Sequence, residues 1–76
     1  MARVVNGAAL RAIRELAGVD QPDLAKRVGI HQASLSNIER GQRGASPEVV
    51  RKLADHLGVT VDAITSVAPE PVRVAP

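Results

Sequence analysis

Apolar residues recur along this chain at three- and four-residue spacing, in short blocks separated by glycine. From Asn6, a suitable N-cap, Leu10, Ile13, Leu16 and Ala17 line one face, Arg11, Arg14 and Glu15 lie on others, and Gly18 closes the block. A second block opens at Asp20, a side-chain acceptor for a helix start. It has Pro22 and Asp23 in its first turn, Leu24, Ala25 and Val28 facing inward, and Gly29 as its stop. The pattern restarts around His31, turns Leu35 and Ile38 inward and ends at Gly41. Ser46 and Pro47 begin a fourth block, with Val49, Val50, Leu53, Ala54 and Leu57 as its stripe up to Gly58; Thr60 can cap a fifth, short one. Val19 with Leu24, Ile30 with Leu35, and Val59 with Ile64 are spaced as hydrophobic staples at three of these starts. No stretch alternates as a strand would, and no segment repeats. The expected fold is all-α, a compact bundle of five short helices. Residues 1–5 are expected as a frayed arm, 6–66 as the folded domain, and 67–76, with three prolines and no periodicity, as a disordered or extended tail.

Composition narrows the chemistry. The chain has 76 residues, 45% apolar, with no cysteine and no aromatic residue. Twelve of the apolar residues are alanine, so one small core must be built from about two dozen Val, Leu, Ile and Met side chains. Disulfides and cysteine metal sites are excluded. The longest apolar run is three residues, far short of a membrane span, and no segment resembles a secretory signal, so a cytoplasmic location is expected. A net charge of +2 with pI near 9.9 permits a nucleic-acid partner without requiring one. His31 and His56 stand 25 residues apart with no His-x-x-x-His spacing, a poor basis for a metal site. Ser34 and His31 share a helical turn, but no third group orients the imidazole, and there is no glycine-rich phosphate loop. Neither an enzyme nor a cofactor, membrane or small-molecule substrate is expected.

The informative stretch runs from Gln21 to Arg40. Two short helices joined by a glycine-containing turn need a small residue where they cross, a glycine where the chain reverses, and apolar residues facing inward on both sides. Ala25, Gly29, and the set Leu24, Val28, Ile30, Leu35 and Ile38 meet each demand. With IERG following, and then SPEVVRKLADHLGV, the sequence resembles the helix-turn-helix domains of the lambdoid repressor and Cro (XRE-type) family over roughly Leu10 to Thr65. The resemblance implies a lambda-repressor-like fold whose second motif helix enters the major groove of DNA.

On that helix Gln32, Ala33, Ser36 and Asn37 are the expected base readers. Gln or Asn can bond adenine N6 and N7 together, and an alanine methyl can meet the thymine methyl. Ser34, Arg40, Gln42 and Arg43 are candidate backbone contacts, Arg43 foremost. The resemblance places Gln21 on a phosphate, where helix N-terminal N–H groups favour an anion, and has it brace Gln32. It also implies a positional Arg14–Glu39 pair, off the DNA. His31 departs from the Ser or Thr usual at this cap in the family and reads as an exposed residue. Asp20 and Asp23 put negative charge near the expected phosphate; they are read as capping groups turned aside that weaken nonspecific affinity. Arg3 and Arg11 could touch flanking DNA.

These readings converge on a sequence-specific regulator of double-stranded DNA, most simply a repressor. One helix reads too few base pairs, so a homodimer on a two-fold operator is expected, with recognition helices ~34–36 Å apart. Val59, Val61, Ile64 and Val67 are its candidate surface. Cro or immunity repressors, restriction-modification controllers and antitoxin DNA-binding halves all fit. The alternative is a protein-interaction adaptor or antitoxin using the same scaffold, which the modest charge and the acids near Gln21 favour.

Overall fold

Side chains at two positions start helices in the manner the sequence implies. Asn6 Oδ1 accepts from the Ala9 N–H at 3.1 Å to open α1 (Gly7–Leu16), and Ser46 Oγ accepts from the Val49 N–H at 3.2 Å to open α4 (Pro47–Leu57). Between them lie α2 (Gln21–Val28) and α3 (Gln32–Glu39), whose cap residues Asp20 and His31 make no side-chain capping bond. The expectation that the Asp20 carboxylate caps α2 is therefore corrected, and so is the one for Thr60, which also makes no side-chain cap bond. This computed structural model describes residues 3–67.

Four α-helices are present among the described residues; the expected fifth is a single 3-10 turn, Val61–Ile64. Two short strands, neither anticipated, complete the fold: β1 (Arg3–Val5) and β2 (Thr65–Val67). They pair antiparallel, with Arg3 opposite Val67, Val4 opposite Ser66 and Val5 opposite Thr65. Arg3 to Val5 is thus no frayed arm. Asn6 N donates to Ile64 O at 2.7 Å, Arg3 Nε to Thr65 Oγ1 at 3.0 Å, and Arg3 meets Asp62 at 3.3 Å. Strands of three residues are too short to show alternation, and their partners lie at opposite ends of the folded region, so the pattern could not reveal them. Val67 belongs to β2, while the rest of the expected tail lies outside the described residues.

The core is wholly aliphatic. Leu10, Leu24, Leu35, Leu53 and Ile64 are fully buried, one from each of the four helices and the 3-10 turn, with Ala25, Val28, Ile38, Val50 and Ala54 around them. Val19, Ile30 and Val59, the outer halves of the three expected staples, are partly buried against this cluster. Two expectations fail here. Leu16, placed on the inward stripe of α1, is 88% exposed, and Ala17 is exposed as well, because the core ends before the last turn of the helix. Ile64, offered as dimer surface, is spent on the core, and Val59 and Val61 pack against it, leaving only Val67 of that set exposed.

Candidate nucleic-acid interface

The link between α2 and α3 follows from the backbone freedom of Gly29. It sits at φ 79°, a left-handed conformation, and lets Ile30 N reach back to Ala25 O at 3.0 Å, closing a Schellman motif. Ala25, 1% exposed, gives the close approach its small side chain. Leu35 and Ile38 anchor the inner face of α3, so its other face turns outward. On that face Gln32 and Ala33 are exposed, and Ser34, Ser36 and Asn37 are half-buried. Arg40, Gln42 and Arg43, exposed, follow along the end of the helix and the next loop. From His31 to Arg43 no exposed residue is acidic.

A chain of hydrogen bonds buttresses this face from behind. Glu39 receives Arg14 Nε at 2.7 Å on Oε2 and Arg14 Nη2 at 3.0 Å on Oε1. The same Oε1 accepts from Gln21 Nε2 at 3.1 Å, and Gln21 Oε1 accepts from Gln32 Nε2 at 3.3 Å. Arg14 also donates to the Val19 carbonyl at 2.9 Å, tying α1 to the entry of α2. With side-chain exposures of 12% and 3%, Arg14 and Glu39 are largely out of water, and this bidentate, fully bonded geometry offsets the cost of burying both charges. The hydrogen bond to Glu39 and its charge hold the Arg14 pKa above its usual value despite desolvation. The pair implied by the resemblance is present, and so is the Gln21–Gln32 contact.

Arg14, Gln21 and Glu39 also line a cleft of about 260 Å³ with Arg11, Ser36 and Arg40, where α1, the start of α2 and the end of α3 meet. Arg11 is engaged by Glu15 at 2.8 Å, a bond that draws the Glu15 carboxyl below its usual pKa. Sequence reasoning placed Arg11 only loosely, since the cleft is made by three helices. Asp23 caps nothing and pairs instead with Arg27 at 3.1 Å, while Asp20 is exposed. Two further contacts were not anticipated. Arg40 Nη2 donates to Asn37 Oδ1 at 2.6 Å, and Arg43 Nη1 to Ser34 Oγ at 3.2 Å. The first was available as an i,i+3 spacing on a helix; the second needs the loop to fold back.

Comparison with known proteins agrees with this geometry. A profile of the helix-turn-helix domain family matches residues 7–66. The HTH-type transcriptional regulator YazB of Bacillus subtilis is 38% identical over 58 residues, covering 76% of this chain and 84% of that protein. Regulator Rv0023 of Mycobacterium tuberculosis is 39% identical, but the chain spans only 23% of its length. Among solved structures, the restriction-modification controller protein C.AhdI from Aeromonas hydrophila superposes with a TM-score of 0.71 at 33% identity, over 75% of this chain and 86% of that one. The P22 c2 repressor, in complex with a synthetic operator, gives 0.70 at 28% identity, over 74% and 85%. No helix among the described residues is long and apolar enough to cross a membrane. An exposed helix face held by a buried Arg–Glu pair, on a scaffold shared with repressors and controllers, makes this chain a member of the lambdoid repressor and Cro-like helix-turn-helix family.

Proposed function

We propose that the protein is a sequence-specific double-stranded DNA-binding transcriptional regulator, most simply a repressor, that lays α3 in the major groove. The observation that carries this reading is the buttressed Gln32. One amide hydrogen goes to Gln21, which leaves the Gln32 carbonyl and a second N–H for a base, the acceptor and donor that adenine N6 and N7 call for. Ala33 stands exposed beside it for a thymine methyl. Gln21, Ser34, Arg40, Gln42 and Arg43 flank the face as backbone contacts, which position the protein without reading sequence. The P22 c2 repressor in complex with a synthetic operator, and the restriction-modification controller protein C.AhdI, support the same assignment. A homodimer on a two-fold site belongs to the proposal, because a single α3 spans too few base pairs to discriminate.

Selection from random duplexes tests this directly. An enriched site made of two inverted half-sites one helical turn apart is the expected result. Enrichment of a lone asymmetric half-site would remove the dimer. No enrichment, with binding indifferent to salt, would favour the protein-interaction adaptor instead.

A further inference from the structure

The geometry points to Asn37 as a reader that acts only as a hydrogen-bond donor, with Arg40 as the positioning residue that sets this polarity. The inference rests on the proposed reading of α3 as a DNA-recognition helix.

Asn37 and Gln32 carry the same amide, and the sequence offers both for adenine. Their surroundings differ. Gln32 keeps its carbonyl, because Gln21 takes only an amide hydrogen. Asn37 gives its carbonyl to Arg40 at 2.6 Å, a short charge-assisted bond. A guanidinium has donors and no acceptor, so the amide cannot be turned over without setting N–H against N–H. Arg40 faces no carboxylate within salt-bridge distance among the described residues, so no side chain of the protein competes with Asn37 for it, and its guanidinium has donors to spare for a phosphate while one stays on Asn37. Asn37 is half-buried, which limits escape to another rotamer.

What remains for a base is an NH2 group. Adenine recognition by an amide needs a free carbonyl for N6–H, and here an approaching N6 amine would meet both an occupied carbonyl and a cation. Guanine suits the NH2 group best, because N7 and O6 are neighbouring acceptors; thymine offers O4 alone, and cytosine presents a donor. The two amides of α3 thus divide the work, Gln32 taking adenine and Asn37 guanine. Arg40 sets the second preference without touching a base.

The test is selection from random duplexes with the intact protein and four variants, each checked for a cooperative melt. Asn37→Ala locates the base pair it reads, as the position that loses preference. At that position the unaltered protein is expected to enrich guanine. Arg40→Met keeps the aliphatic stem and removes the donor, so adenine should enter and guanine-over-adenine discrimination fall by about tenfold, while the Gln32 position stays unchanged. Arg40→Lys restores a donor and should restore the guanine preference. Asn37→Asp, acceptor-only beside Arg40, should shift the preference to cytosine. Enrichment of adenine by the unaltered protein at that position, or an Arg40→Met variant that weakens all sequences alike with its preference intact, would overturn the inference and leave α3 as the reader. Absence of any enriched site would overturn the DNA-reading assignment itself, and this inference with it.

Discussion

At Gly7 and Gly29 the same added methyl group meets different physics. A Cβ on Gly7, the first residue of α1, would fall 2.6 Å from the Glu39 carbonyl oxygen and closer still to that of Ile38. Gly7→Ala should therefore cost about 1–3 kcal/mol, although alanine ordinarily improves a helix. At Gly29 nothing lies within 4 Å, so the cost is only that of the left-handed backbone, about 1–2 kcal/mol for alanine and more for β-branched valine. Urea midpoints read both, and an unchanged or raised midpoint for Gly7→Ala would refute the close α1–α3 approach. Arg14→Met leaves a buried carboxylate without its cation and should cost about 3–5 kcal/mol; adding Glu39→Leu should return much of it. A double variant no better than the single one would contradict this. Because the Arg14 pKa is raised, its stabilisation is complete below the usual arginine value and lost only as pH rises through the higher folded one. No Arg14 titration should therefore mark the stability profile between about pH 5 and 10. The Glu15 carboxyl has the opposite sign: its contribution is present above the usual carboxylate pKa and fades as pH falls through the lowered value.

On the level of elements, α2 and α3 are eight residues each and neither is capped by a side chain. Helices shorter than ~12–15 residues are marginal in water, so a peptide spanning residues 19–43 should show little helicity by circular dichroism. A strongly helical peptide would mean that packing is not what holds the motif. The paired strands strap the N-terminal end of α1 to the chain beyond the 3-10 turn, and Val5 packs on the core. Removing residues 1–5 should lower stability by about 1–3 kcal/mol, chiefly through Val5. Helix positions were legible in advance because caps, prolines and glycines act within a few residues. The strands were not, because each gains its hydrogen bonds only from the other.

Across the whole molecule, formal charge is modest, and placement matters more than the total. Arg3, Arg11, Arg14, Arg27 and Lys52 are each paired with a carboxylate, whereas Arg40 and Arg43 flank the outer face of α3 and bond its neutral side chains. Binding to duplex DNA should therefore fall linearly on a log–log plot of affinity against salt. Arg43→Ala should weaken all sequences alike and reduce the slope by about 1 per protomer. Gln32→Ala should instead cost about 1–3 kcal/mol on the selected site and relax one base position. Equal loss on every sequence after Gln32→Ala would deny it a reading role.

The sequence by itself determined the helix boundaries to within a residue or two, the aliphatic core, the glycine turn at Gly29 and the outward face of α3. These depend on local periodicity and on backbone preferences that each residue carries with it. Tertiary structure alone decided that Leu16 overhangs the core, that Ile64 is spent inside it, that Gly7 is needed for space, and that the Asn37 carbonyl is already taken. Periodicity tells which side of a helix a residue occupies, but not how far along that side the neighbours extend. Nor can it tell which of two chemically equal amides will find a guanidinium beside it.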